Sequence, residues 1–310
     1  MPKALPPLAV IAGPTASGKS GLAITLARRT GGVIVNADSA QLYRDLPILS
    51  AMPSADERAA ADHRLFGVCD GADPCSAADW AALAKAEIAA IHAEGRLPIL
   101  VGGTGLYLRT LLDGIAPVPP IDPAVRADVR GASVAENLAR LVTLDPVSAA
   151  RLSPGDSARI ARALEVVIST GTTLDRWQEQ KSGGIGDTVA LRPLILLPPR
   201  AWLYARCNAR FGAMIDAGAA AEALTLFDRG LDAQLPVMRA IGLAEMIAFA
   251  SGRIDRPAAE AAGAQATRRY AKRQYTWFAH QPPDEWPRFA SPLDQPGALD
   301  AALALLGAAG

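Results

Sequence analysis

Cysteine and histidine are scarce in this chain, with three of each among 310 residues. Cys69, Cys75 and Cys207 form no close pair with metal-ligand spacing, which argues against a disulfide framework or a zinc site and fits a reducing cytosol. No apolar run approaches the ~20 residues that a membrane-crossing helix needs. The opening MPKALPPLAV leads into a strand-like segment without the three parts of a secretory signal. A cytoplasmic protein with no membrane partner is expected, and nothing asks for more than a monomer. Net charge is missing too: 31 basic and 31 acidic residues cancel, so charge alone signals no nucleic-acid partner. Its distribution is uneven, however. TRRYAKRQYTW (267–277) holds Arg268, Arg269, Lys272 and Arg273 with no acid among them.

What is present suits a full core, with half the residues apolar and 20% charged. LAVIAG (8–13), GVIVNADS (32–39) and RLPILVGG (96–103) read as buried strands, and LRPLILLPP (191–199) as a later one. Between them, 20–32 reads as a helix stopped by Gly31 and Gly32. A second helix over 76–94 has Ser76 and Asp79 in its first turn, Trp80, Leu83, Ala84, Ile88 and Ile91 on one face, and Gly95 at its end. Strands alternating with helices predict a parallel sheet covered on both faces. GIAPVPPIDP (114–123) then carries four prolines, and the following residues read as helical, best at 158–171 with Ile160, Leu164, Val167 and Ile168 on one stripe. The organisation expected is an α/β core, 1–116 and 190–310, interrupted by a helical insertion over 117–189. The C-terminal part reads as helical until a proline-rich stretch near 282–296.

GPTASGKS (13–20) matches G-x-x-x-x-G-K-[ST] between an apolar strand and a helix, the context a phosphate loop requires. Gly13, Pro14, Thr15, Ala16, Ser17, Gly18, Lys19 and Ser20 are therefore candidate diphosphate ligands. The glycines let N–H groups converge on phosphate oxygens, Lys19 adds a charge, and Ser20 suits a Mg2+ ion. The strand PILV ends not in the aspartate usual for ATPases and GTPases but in Gly102-Gly103-Thr104-Gly105. The acid follows the second strand instead, as Asp38. Strand carboxyl ends hold the ligands of open α/β sheets, so Asp38 and Thr104 are expected at the phosphates; a helix cap or Asx turn is the structural alternative for Asp38.

GPTASGKS, VNADSAQLYR, VGGTGLYLRTLLDG, RIARALEV, MRAIGLAE and AKRQYTWF together resemble the tRNA dimethylallyltransferase family, in the family's order and over nearly the whole chain. The resemblance implies a P-loop NTPase-like parallel sheet flanked by helices, with a helical insertion that contacts tRNA. It implies transfer of a dimethylallyl group from dimethylallyl diphosphate to the exocyclic amine of the adenosine 3′ of the anticodon, with Mg2+ on the diphosphate. Asp38 matches the general base and Thr104 the threonine beside the transferred group. An arginine beyond the diphosphate is expected in WLYARCNARF. There Arg206 and Arg210 share a helix face opposite Leu203, Cys207 and Met214, with Arg206 taken as the inward one and a solvated charged face as the alternative.

The resemblance also implies contacts to a tRNA anticodon stem-loop. Asp38, Ser39, Ala40, Gln41 and Thr104 match the segment at the flipped base, and Arg126, Arg159, Ile160, Ala161 and Arg162 match insertion contacts. Met238, Arg239, Ala240, Ile241, Gly242 and Leu243, with Arg269, Lys272, Arg273, Gln274 and Trp277, match further loop contacts. Tyr275 and Trp277 could stack on bases, with core packing the commoner fate of a single aromatic. Three departures bear on RNA contacts: Met52 stands for a usual lysine, Ala158 for a usual glutamine, and Gly242-Leu243-Ala244 for a glycine-tyrosine-basic run. Rival readings are a small-molecule kinase, an isopentenyltransferase of free adenine nucleotides, and a non-catalytic RNA-binding protein.

Overall fold

The computed structural model describes residues 4–308. They form two compact units: residues up to Leu111 with those from Gly186 onward, and Leu112–Ile185. The larger unit is built on a six-stranded sheet of β1 (Pro7–Ala12), β2 (Val33–Asn36), β3 (Asp62–Arg64), β4 (Pro98–Gly102), β7 (Ala190–Leu196) and β8 (Arg288–Phe289). Its order is β3-β2-β4-β1-β7-β8 and every pair is parallel. The apolar runs follow from this topology, because a parallel sheet is covered on both faces; β2 and β4 are buried at every position. Register matters for the site. Ala12 pairs with Gly102 and Asn36 with Val101, so β1, β2 and β4 end level, and the loops after them share one edge.

The helix Lys19–Thr30 ends where glycine takes over, with Gly31 left-handed at φ 66. The helix Ala77–Ala93 begins with the capping box of Ser76 and Asp79. Its buried face is Trp80, Ala81, Ala84, Ile88 and Ile91, while Leu83, expected inside, is exposed. Two strands were not expected. β3 alternates polar and charged residues (Asp-His-Arg), and β8 lies within the proline-rich stretch; both are edge strands, where proline and charge are tolerated.

The smaller unit starts at Leu112 and closes at Ile185, against the 117–189 expected. A two-residue antiparallel ribbon of β5 (Gly114–Ile115) and β6 (Ser182–Gly183) joins its ends, and so short a glycine-bearing pair leaves no periodicity to read. Inside, the helix Ser157–Thr170 packs Ile160, Ala161, Ala163, Leu164 and Val167 against Val129, Leu141 and Ala149.

Candidate active site

The phosphate loop is shaped by backbone geometry that only small residues tolerate. Gly13 has φ 146, and a Cβ there would lie 2.5 Å from the Leu196 carbonyl oxygen; Gly18 has φ 95. The helix that follows has no side-chain cap and no acid in its first turn. Its N–H groups and positive dipole end therefore remain available for an anion. Lys19 Nζ donates to the Pro14 carbonyl at 2.6 Å, closing the loop on itself. Burial lowers the Lys19 pKa to about 8, against the pull of Asp38 and with the push of Arg210.

Asp38 follows β2. Its Oδ1 accepts from Ala40 N–H at 3.1 Å, and its own N–H donates to Asn36 Oδ1 at 2.8 Å. The Asx turn offered as an alternative is thus present. Buried Asn36 donates in turn to the carbonyls of Asp38 and Leu65, each at 3.0 Å. Burial raises the Asp38 pKa; Lys19 opposes most, followed by the Ala40 and Gln41 N–H groups and Arg210. Thr104 Oγ1 accepts from Ser39 N–H at 3.0 Å and lies 3.3 Å from Ser39 Oγ, tying the ends of β2 and β4 together.

Two cavities meet here. One, of about 640 Å³, runs along the phosphate loop and takes in Lys19, Ser20, Asp38, Arg206 and Arg210. The other, of about 320 Å³, is lined by Asp38, Tyr43, Tyr107, Phe211, Tyr270 and Ile241 among others. Thr15, Asp38 and Arg210 belong to both. The apolar stripe of the helix Arg200–Asp216 is Leu203, Cys207, Phe211 and Ile215, so Met214, expected in it, instead faces the second cavity. Arg206 is exposed; its Nε donates to the Ala16 carbonyl at 3.0 Å and its guanidinium lies 4.6 Å over the Trp202 ring. Arg210 is the deeper of the two, 3.4 Å from Thr15 Oγ1, and burial lowers its pKa. The inward assignment of Arg206 is corrected accordingly: one helical turn separates them, and Arg210 lines both cavities whereas, of the two, Arg206 lines the phosphate-loop cavity alone.

Several residues expected at RNA belong to the framework. Gln274 is buried: its Oε1 accepts from Thr15 N–H and its Nε2 donates to the Gly103 carbonyl, both at 2.8 Å. Trp277 fills the space beside Gly105, where a Cβ would lie 2.5 Å from the ring. Tyr275 packs under the loop with Ala16, Leu203 and Cys207. Ile160 and Ala161 sit in the insertion core. Gly242 and Leu243 are buried, with Gly242 left-handed against Phe211. Gln41 spends its amide on the carbonyls of Ser50 (3.0 Å) and Ala51 (2.7 Å). By contrast Arg239, Ala240, Ile241 and Arg273 line the second cavity, while Met238 is half-buried and Arg269 and Lys272 are exposed. On the insertion Arg126 and Arg159 are exposed and Arg162 is half-buried. Arg162 lies 3.9 Å from buried Glu165, which Arg130 holds at 2.6 Å. Sequence reasoning missed Tyr43, Tyr107 and Tyr270, whose role needs the distant segments brought together.

Among the described residues no three His, Cys, Asp or Glu side chains group to hold a metal, and no helix is long and apolar enough to cross a membrane. Comparison with known proteins places these features in a family. A family model described as IPP transferase matches residues 41–281. The tRNA dimethylallyltransferase of Erythrobacter litoralis is 61% identical over 91% of both chains, and that of Sphingopyxis alaskensis 58% over 92% of this chain and 94% of its own. The crystal structure of tRNA isopentenylpyrophosphate transferase from Bacillus halodurans matches with a TM-score of 0.70 at 31% identity, covering 98% of this chain and 96% of that one. A eukaryotic dimethylallyltransferase acting on tRNA matches with a TM-score of 0.76 at 26% identity, over 88% of this chain and 69% of its own. With the family model spanning most of the chain and relatives this similar over nearly all of it, the chain belongs to the IPP transferase family.

Proposed function

We propose that the chain transfers a dimethylallyl group from dimethylallyl diphosphate to the exocyclic amine of the adenosine 3′-adjacent to the anticodon in tRNA, releasing diphosphate. The observation that carries this is Asp38, which lines both the phosphate-loop cavity and the apolar, tyrosine-lined one. The diphosphate lies on the uncapped helix end and on Lys19, with Arg210 and Arg206 beyond it. The base enters the second cavity, drawn from its stack as base-modifying enzymes require. The allylic C–O bond breaks and the C–N bond forms. The negative charge that builds on the leaving diphosphate meets N–H groups, Lys19 and Arg210. Asp38 takes the proton of the amine as the new bond forms, and Thr104 holds the turn that presents Asp38.

Magnesium suits this donor set. Ser20 is among the hydroxyls on the loop cavity, and among the described residues no three His, Cys, Asp or Glu side chains form a cage; Mg2+ is commonly held by few protein oxygens together with phosphate oxygens and water. When bound it neutralises charge on the departing diphosphate. Mass analysis of undermodified tRNA after incubation with dimethylallyl diphosphate tests the reading. One five-carbon unit gained on that adenosine is expected, whereas label entering product from ATP instead would support the kinase reading and overturn this one.

A further inference from the structure

Glu222, on the helix Ala219–Asp228, spends both carboxylate oxygens on the backbone: Oε1 accepts from Ile48 N–H at 2.7 Å and Oε2 from Leu49 N–H at 2.9 Å. These two N–H groups begin the short segment 48–51, which carries a left-handed non-glycine residue, Ala51 at φ 54. Such a conformation persists only where the surroundings hold it. The hold comes from both sides, since Gln41 Nε2 donates to the carbonyls of Ser50 and Ala51 at the segment's other end. Leu49, Ser50 and Ala51 line the second cavity, and Ser50 and Ala51 also line the phosphate cavity. The segment is therefore part of the wall of both.

We propose that Glu222 is a positioning residue for Asp38, acting through segment 48–51 and the Gln41 side chain. The contacts are contiguous. Glu222 fixes Ile48 and Leu49; the carbonyls of Ser50 and Ala51 fix the Gln41 amide; and Gln41 is bonded in the chain to Ala40, whose N–H donates to Asp38 Oδ1 at 3.1 Å. A second hold on Gln41 comes from its carbonyl, which accepts from Gly67 N–H at 2.9 Å. Glu222 touches neither cavity's phosphate ligands, so its loss displaces the base without removing a diphosphate contact. The inference rests on the transfer reading above.

The test compares wild type with Glu222→Gln, Gln41→Met and the double variant. Glu222→Gln keeps the size of the side chain but turns an acceptor into a donor facing an N–H. The expected result is a ~10- to 100-fold lower kcat for transfer, the scale set by small misplacements of reacting groups, with pyrophosphate affinity and donor KM held near wild type. The double variant falls no further than the worse single one, because the two act in series. An unchanged kcat in folded Glu222→Gln, or additive losses, overturns the proposal. If Glu222→Gln does not fold, Gln41→Met decides: a loss confined to kcat supports the chain of contacts and an unchanged kcat overturns it. Failure of wild type to transfer at all would overturn the transfer reading instead, so the two failures are distinct.

Discussion

Lys19 and Asp38 moderate one another's charge at the phosphate-loop cavity. Burial drives the lysine pKa down to about 8 and the carboxylate pKa up, and each is the leading group opposing the other's shift. On the proposed reading, a diphosphate at Lys19 would favour its charged form beside the carboxylate assigned as base.

The pH dependence follows with a definite sign. Diphosphate favours protonated Lys19, so donor affinity should fall as pH rises through about 8. Asp38 acts only when ionised and its pKa is raised, so kcat should fall on acidification at a pH above the ordinary carboxylate range. Donor titrations and single-turnover rates across pH check the two limbs separately.

Asp38→Asn should retain diphosphate binding, since the phosphate contacts lie on the loop and the arginines. It should lose ~10²- to 10⁴-fold in the transfer step, the usual worth of a positioned general base. Rapid-quench rates set beside pyrophosphate calorimetry measure both.

The two arginines should separate. Arg210→Ala removes the deeper cation at the junction and is expected to lower kcat, while Arg206→Ala, which frees an exposed side chain from the Ala16 carbonyl, should chiefly raise donor KM. Steady-state kinetics with varied donor distinguish them.

Gln274→Leu should act on stability before RNA. It leaves Thr15 N–H and the Gly103 carbonyl without their buried partner, a loss of about 1–3 kcal/mol for each group so orphaned. A lowered Tm with a raised donor KM is expected. A tRNA affinity loss at unchanged Tm would return Gln274 to the RNA side.

Arg269 and Arg273 are exposed on the helix Arg256–His280, with Arg273 at the second cavity and 5.7 Å over the Tyr270 ring. Replacing either by Ala should weaken tRNA binding and flatten its salt dependence, because each phosphate contact releases counterions. Filter binding at several salt concentrations reads the slope.

Much of this molecule is written locally. The phosphate loop, its strand and helix, the capping box at Ser76 and the helical character of the insertion depend on neighbours a few residues away, so GPTASGKS and Ser76–Asp79 show them directly. Asp38 and Thr104 drew notice because both follow strand ends; Asp38 lines both cavities, while Thr104 bonds Ser39. Polarity and helical spacing, however, cannot tell which face of a helix meets the core. For that reason Leu83 and Met214 stand elsewhere than expected. The edge strands β3 and β8 were invisible, since an edge needs no apolar run.

The sequence by itself determined the phosphate loop, the alternation that makes a parallel sheet, and the residue types of the chemistry, because each is set by short-range spacing. Only the tertiary structure decided that Asp38 lines two cavities, that Arg210 lies deeper than Arg206, and that Gln274 bonds the phosphate loop. Those outcomes depend on the level at which strands end and on contacts between segments far apart in the chain, such as Thr15 with Gln274 and Ile48 with Glu222. Such contacts are fixed by packing of the whole unit, and no local pattern encodes them.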